Sequence, residues 1–197
     1  MRILFQGDSI TDAHRDRTDP RRLSGYTQMI ADSLGEEHEY FNYGISGDTT
    51  AQLLDRIGAE LQATMPDIVT VLIGINDVWR RFDSNYFIPA EQTQQNAEEI
   101  FCTVRRICPN AKLIVAEPYL LPAPDKLHWR GTLAYNIQAI REAALKYADA
   151  FIPLDSLMTL ARKCTPWQLL AADGVHPDEA GQRVIAEAFE KEIKKYL

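Results

Sequence analysis

Cysteine is scarce in this chain: Cys102, Cys108 and Cys164 are the three among 197 residues. An odd number without framework spacing excludes a scaffold held by disulfides. Cys102 and Cys108 stand six apart on a predicted helix, off one another's face, and make a poor metal pair. They read as small apolar core residues. Long apolar runs are missing too, and none approaches a membrane span. The opening Ile3-Leu4-Phe5 is far too short to be the apolar core of a signal peptide. The expected location is therefore the cytoplasm, with no membrane partner. No block of a single charge occurs: 28 acidic and 21 basic residues, net −7, are spread along the chain. A negative surface repels nucleic acid and anionic lipid, so neither is expected as a partner. Repeats, low-complexity tracts and linkers are absent as well. Neither G-x-G-x-x-G nor G-x-x-x-x-G-K-[ST] appears, which removes the usual glycine cradles for nucleotide phosphates.

What is present is an ordinary core-forming composition, 46% hydrophobic and 25% charged. It suits one domain over residues 1–197. Short β-type runs alternate with helical patterns. The predicted strands are Ile3-Leu4-Phe5, Glu39 to Tyr43, Ile68 to Ile73, Leu113 to Ala116 and Phe151 to Leu154. Helical spacing recurs between them, in Tyr26, Met29, Ile30 and Leu34; in Leu53, Leu54, Ile57 and Leu61; in Ile100, Phe101, Val104 and Ile107; and in Leu133, Ile137, Ile140 and Ala144. Val184, Ile185, Ala188, Phe189 and Ile193 close the chain. The run from Ile68 to Ile73 is apolar almost throughout, as a strand buried on both faces requires. Such alternation predicts right-handed βαβ units and a parallel sheet covered by helices on both sides. Ligands then bind beyond the carboxyl ends of the strands. That directs attention to the loops at Gly7-Asp8-Ser9, Gly44 to Thr50 and Gly74 to Trp79, and to the long segment from Glu117 to Gly131.

Four blocks carry chemistry, three of them in those places. Gly7-Asp8-Ser9-Ile10 puts a serine just past the first strand, where a cap or turn residue is the ordinary alternative. In Asp173-Gly174-Val175-His176-Pro177 an Asp stands three residues before a His. Such an Asp can fold back to accept the ring's Nδ1–H and leave Nε2 free to take a hydroxyl proton. Asn76, in Gly74-Ile75-Asn76-Asp77, follows the most buried strand; it can donate to a developing oxyanion or close an Asx-turn. Gly47, between Asn42 and Thr50, lets a backbone N–H approach a substrate oxygen, while Asp48 or Thr49 can cap the next helix. Asp12, His14 and Asp16 could in principle hold a metal, but an alternating Asp- and Arg-rich stretch reads as a solvated segment, and no metal is expected.

Taken together and in this order, the four blocks resemble those of the SGNH or GDSL hydrolase superfamily, with Ile10 where the name motif has Leu. The resemblance extends over nearly the whole chain. It implies a flavodoxin-like three-layer α/β/α sandwich with a central parallel five-stranded sheet. It implies Ser9 as nucleophile, His176 as base and Asp173 as the residue orienting that base. The oxyanion would be held by the backbone N–H groups of Ser9 and Gly47 and the side chain of Asn76. It implies no cofactor, and it admits a homo-oligomer. The G-x-S-x-G elbow of the larger α/β-hydrolases is absent.

The expected partner is a small-molecule ester. Trp79, Trp129 and Trp167 all fall in predicted loops, where indole faces suit sugar rings or plug the rim of the core. Gly74 to Arg80 also resembles bacterial carbohydrate acetylesterases, acetylxylan esterases among them. The expected activity is therefore hydrolysis of acetyl esters on carbohydrates such as xylo-oligosaccharides. An acyl thioesterase or lysophospholipase is the alternative, with Arg80 and Arg81 placed to meet a phosphate.

Overall fold

A computed structural model describes residues 1–197. Five strands, β1 (Arg2–Gly7), β2 (Glu39–Asn42), β3 (Ile68–Leu72), β4 (Lys112–Ala116) and β5 (Ala150–Ile152), form one sheet in the order β2-β1-β3-β4-β5. Every pairing is parallel. This is the flavodoxin-type order, whose switch point lies between β1 and β3. The strand alternation read from the sequence therefore holds, with small shifts at the ends. The largest is at β5, where Pro153 stops the strand and a helix, numbered α7 in chain order (Leu154–Ala161), starts at once.

The two faces of the sheet explain the apolar strands. Ile3, Phe5, Ile68, Leu72, Ile114 and Ala116 belong to one buried cluster. It also takes in Tyr26 and Ile30 of α2 (Gly25–Leu34) and Ile185, Phe189 and Ile193 of α9 (Glu179–Ile193). Leu4, Val69, Val71, Leu113 and Val115 face the other way. They meet Leu53, Ile57 and Leu61 of α3 (Thr50–Thr64), Ile100, Phe101 and Val104 of α5 (Ala90–Ile107), and Ile140 and Ala143 of α6 (Arg130–Tyr147). Each fully buried Leu, Ile or Val side chain contributes roughly 1.5–3 kcal/mol, so the central strands are committed to both layers.

Three helices are shorter or earlier than the sequence patterns indicate. Ser9 opens α1 (Ser9–Asp12), whose N-cap Asp8 accepts from the Ile10 N–H at 3.0 Å. The Asn block is not a loop: Ile75 begins α4 (Ile75–Asp83) directly after Gly74. Trp167 opens α8 (Trp167–Leu170). α1 and α8, of four residues each, are too short to repeat an apolar face, whereas α4 does repeat one, with Ile75, Val78, Trp79 and Phe82 turned to the core. In consequence Trp79 lies in a helix, Trp129 ends a 3₁₀ turn (Leu127–Trp129) and Trp167 starts a helix, rather than sitting in loops. No helix is long and apolar enough to cross a membrane.

Candidate active site

At the carboxyl edge of the sheet, residues far apart in sequence meet. Ser9 Oγ lies 2.9 Å from His176 Nε2. His176 Nδ1 lies 2.8 Å from Asp173 Oδ2. The other Asp173 oxygen accepts the N–H groups of Val175 at 2.9 Å and His176 at 2.7 Å. The turn that makes this possible has Gly174 at φ +86°, and a Cβ there would come within 2.9 Å of the Leu121 carbonyl oxygen. Leu121 N–H donates to the Gly174 carbonyl at 2.8 Å, and the Tyr119 hydroxyl donates to the Val175 carbonyl at 2.6 Å. The segment after β4 thus holds the Asp–His turn from beneath.

Burial opposes ionisation of Asp173, but the hydrogen bonds from the His176 ring and the two backbone N–H groups prevail and hold its carboxyl at about 2. The same side-chain hydrogen bond raises His176 above its ordinary value against partial burial; the negative charges of Asp173 and Asp8 add to the rise, and the Lys126 ammonium opposes it. Asp8 itself is pushed up to about 7 by burial, despite its bond from Ile10 N–H and the His176 charge.

Gly47 has φ +91°, a conformation that favours glycine. Its carbonyl accepts from Arg80 Nη2 at 3.2 Å. Asn76 is 5% exposed, and its Nδ2 donates to the Asp48 carbonyl at 3.0 Å. A side-chain amide carries two N–H groups, so one bond of this kind fixes the orientation of the other donor. Asn76 and Gly47 are therefore connected through the Gly47-Asp48 backbone.

Two buried networks hold these pieces, and motif spacing reveals neither. Asp77 accepts from the Thr50 N–H at 2.9 Å, the Thr50 hydroxyl at 2.5 Å and the Thr93 hydroxyl at 3.1 Å. It joins α4 to the starts of α3 and α5. Arg56 donates to Asp48 Oδ2 at 2.7 Å, Gln6 Oε1 at 2.9 Å, Glu60 Oε2 at 2.8 Å and the Gly7 carbonyl at 3.0 Å. One guanidinium therefore ties the end of β1, which leads into Ser9, to the loop that carries Gly47. Arg has the planar fork for such multiple acceptance. The only local hint in the sequence is that Arg56 and Glu60 stand four apart on one face of a helix.

Of the tryptophans, Trp79 and Trp129 build a layer beside the histidine. The Trp79 ring centroid is 5.6 Å from that of His176 and 5.1 Å from that of Trp129. Phe82 stacks on Trp129 at 5.0 Å. Lys126 is 8% exposed; its Nζ lies 5.6 Å above Trp79 and 5.7 Å above Trp129 and pairs with Asp125 at 2.8 Å. Trp129 is only 6% exposed, whereas Trp79 keeps part of its surface open. Trp167 packs against the cluster around α9 and makes no ring contact with this layer. Arg80 and Arg81 are engaged, Arg80 with Gly47 and Asp83 and Arg81 with Thr132 at 3.1 Å.

Asp12, His14 and Asp16 do not converge. Asp12 is 1% exposed and is held by Arg17 and by the Ser46 hydroxyl at 2.6 Å, so it departs from the solvated segment expected there. Arg17 lies five residues on, while Ser46 comes from a loop distant in sequence. Asp16 is exposed and accepts from Thr18. No group of three or more His, Cys, Asp or Glu side chains is disposed to hold a metal ion.

A parallel sheet with a serine, a histidine and an aspartate meeting at its carboxyl edge defines a class of hydrolase. The chain belongs to the GDSL-like lipase/acylhydrolase family, whose model matches residues 5–184. It is a carboxylic ester hydrolase of that family. Among its relatives is an acetylxylan esterase of Geobacillus stearothermophilus, 28% identical, with 98% of this chain and 93% of that protein covered. A crystal structure of an acetylxylan esterase from the same organism superposes with a TM-score of 0.84 at 27% identity, covering 98% of this chain and 93% of the other. That esterase has also been solved as catalytic mutants with a serine or a histidine replaced by alanine. Thioesterase 1/protease 1/lysophospholipase L1 of Escherichia coli is 27% identical, with 98% of this chain and 83% of that protein covered.

Proposed function

We propose that this chain hydrolyses acetyl esters on carbohydrates through a Ser9–His176–Asp173 acyl-enzyme mechanism. The observation that carries the mechanism is the continuous path from Ser9 Oγ to His176 Nε2 at 2.9 Å and from His176 Nδ1 to Asp173 at 2.8 Å. As the serine oxygen bonds to the ester carbonyl carbon, its proton passes to His176 Nε2. Asp173 keeps the proton on Nδ1 and stabilises the imidazolium. The carbonyl oxygen, now an anion, is met by the backbone N–H groups of Ser9 and Gly47 and by the Asn76 amide. His176 then returns the proton to the departing sugar hydroxyl. Water, activated by the same imidazole, releases acetate and restores Ser9.

One observation favours a sugar ester: Trp79, with part of its surface open, lies beside His176 and offers an indole face to a sugar ring. The acetylxylan esterase relative agrees with that choice. The thioesterase or lysophospholipase reading has a relative in its favour, but Arg80 and Arg81 are already bonded within the protein and offer a phosphate little.

The test is a variant series on p-nitrophenyl acetate and acetylated xylo-oligosaccharides. Ser9→Ala and His176→Ala should abolish turnover of both with the far-ultraviolet dichroism unchanged. Asn76→Ala should lower kcat by about 10²–10³-fold with little change in KM. A serine-directed phosphonate should label Ser9. Labelling of another serine, with Ser9→Ala fully active, would overturn the mechanism. Failure to hydrolyse any acetylated saccharide would overturn the substrate.

A further inference from the structure

A second polar and aromatic cavity, of about 470 Å³, lies between the end of α4 and the starts of α5 and α6. Arg81, Phe87, Glu91, His128, Thr132 and Tyr135 line it. Phe87 and Tyr135 are 57% and 72% exposed, a large aromatic surface to leave in water. The Arg81 guanidinium lies 5.0 Å over the Phe87 ring and holds Thr132 at 3.1 Å, so two of the walls are braced. Buried Ile88 is a further part of the lining.

This cavity is connected to the reaction centre by consecutive ring contacts. His176 meets Trp79 at 5.6 Å, Trp79 meets Trp129 at 5.1 Å, and Trp129 meets His128, on the cavity wall, at 6.2 Å. The chain of rings passes through buried Trp129, so it fixes the cavity wall relative to His176 rather than forming a surface a sugar follows. The lining joins open aromatic faces to hydrogen-bonding groups of both kinds: guanidinium, imidazole, hydroxyl and carboxylate. That mixture suits a neutral polyol with alternating C–H and O–H surfaces, because ring faces take the C–H patches and the polar groups take the hydroxyls. A fatty chain would leave the polar wall unpaired at a cost. A phosphate would meet Glu91 as well as Arg81.

We propose that this cavity is a distal saccharide subsite, which holds the unreacted part of an oligosaccharide whose acetylated residue lies at Ser9. The proposal rests on the acetylated-carbohydrate reading above. Binding energy gained there, away from the bond that breaks, holds the ester ready for attack and favours long substrates over short ones.

The experiment compares acetylated xylobiose, acetylated xylohexaose and p-nitrophenyl acetate in the wild type, Tyr135→Ala and Phe87→Ala. Neither residue touches the triad or the oxyanion donors. Wild-type kcat/KM should rise from the disaccharide to the hexasaccharide. Each variant should lose roughly 3- to 10-fold on the hexasaccharide. It should be unchanged on the disaccharide and on p-nitrophenyl acetate. Calorimetry of unacetylated xylohexaose with Ser9→Ala should show binding that Tyr135→Ala abolishes in the same background. Equal turnover at both lengths, with silent variants, overturns the subsite and leaves the proposed activity standing. Loss of every acetylated saccharide while p-nitrophenyl acetate is still cleaved overturns that activity and the subsite with it. A dimer that Tyr135→Ala converts to a monomer in light scattering, with no change on the hexasaccharide, assigns the face to a second copy of the chain and also overturns the subsite.

Discussion

In the proposed mechanism His176 is the residue on which pH acts. Its neutral ring would accept the Ser9 proton, and Asp173 and Asp8 raise its pKa above the ordinary value. Activity should therefore fall with decreasing pH through a midpoint above the usual histidine value of about 6.5. Lys126 opposes that rise. Lys126→Gln should move the acid limb of kcat/KM to higher pH, and a limb that does not move would show that the ammonium is screened from the ring. Asp8 tests the opposite sign and reaches beyond catalysis. Its folded pKa of about 7 stands above its unfolded value of 3.8. Below the unfolded value both states are protonated and Asp8 has no effect. As pH rises from there to about 7 the unfolded state ionises first, so burying Asp8 costs stability over that window. Asp8→Asn should thus be more stable than the wild type at pH 7, by a few kcal/mol at most, with the gain vanishing near pH 3. Urea unfolding at the two pH values measures it. The same change removes a negative charge near His176 and should lower the acid limb.

At the scale of elements, backbone contacts decide which substitutions are tolerated. Gly44 follows β2 where the chain passes against the end of α1, and a Cβ there would sit 2.3 Å from the Asp12 backbone nitrogen and 2.7 Å from the Thr11 carbonyl carbon. Neither partner is a flexible side chain, so Gly44→Ala must displace either the Gly47 loop or α1, which carries Ser9. Gly58 lies in the middle of α3, where a Cβ would meet Ile107 Cδ1 at 3.9 Å and Thr103 Cγ2 at 4.0 Å, ordinary contacts. Gly58→Ala should stabilise the protein by about 0.5–1 kcal/mol, because alanine loses less backbone entropy in a helix. Gly44→Ala should destabilise it and reduce kcat. Thermal unfolding of the pair measures both signs with the same chemical change. Elements long enough to repeat a pattern are legible in the sequence: Leu53, Ile57 and Leu61 mark α3, and Ile68 to Leu72, apolar but for Thr70, mark β3. The helix from Ile75 to Asp83 keeps helical spacing in Ile75, Val78, Trp79 and Phe82, but that spacing does not record the burial of Asn76 and Asp77. They answer to Thr50, Thr93 and Asp48, which are distant in sequence.

For the whole molecule, Ser9 stands where β1 ends, at the switch point of the sheet. On the proposed reading the acyl group is acetyl, which offers little apolar area at about 25 cal/mol per Å², so affinity must come from the alcohol side. Along a series of p-nitrophenyl esters, activity should fall steeply from acetyl to octanoyl. Faster turnover of octanoyl or palmitoyl esters would mean a channel that opens with substrate, and would favour the thioesterase reading.

The sequence by itself determined the fold class, because strand and helix patterns are local and their strict alternation admits few topologies. It also marked the four blocks, since three follow a strand and each keeps its own short spacing; Asp173 and His176 lie three apart and meet through a local turn. Tertiary structure alone decided which of these blocks meet. Ser9 and His176 are separated by 167 positions, and they touch because β1 occupies a central place in the sheet. Tertiary structure also decided that Trp129 is buried, that Lys126 lies over two indoles, and that Arg56 joins β1 to the Gly47 loop. Those contacts depend on side chains converging from separate elements, and no periodicity within a single element records what another element will bring against it.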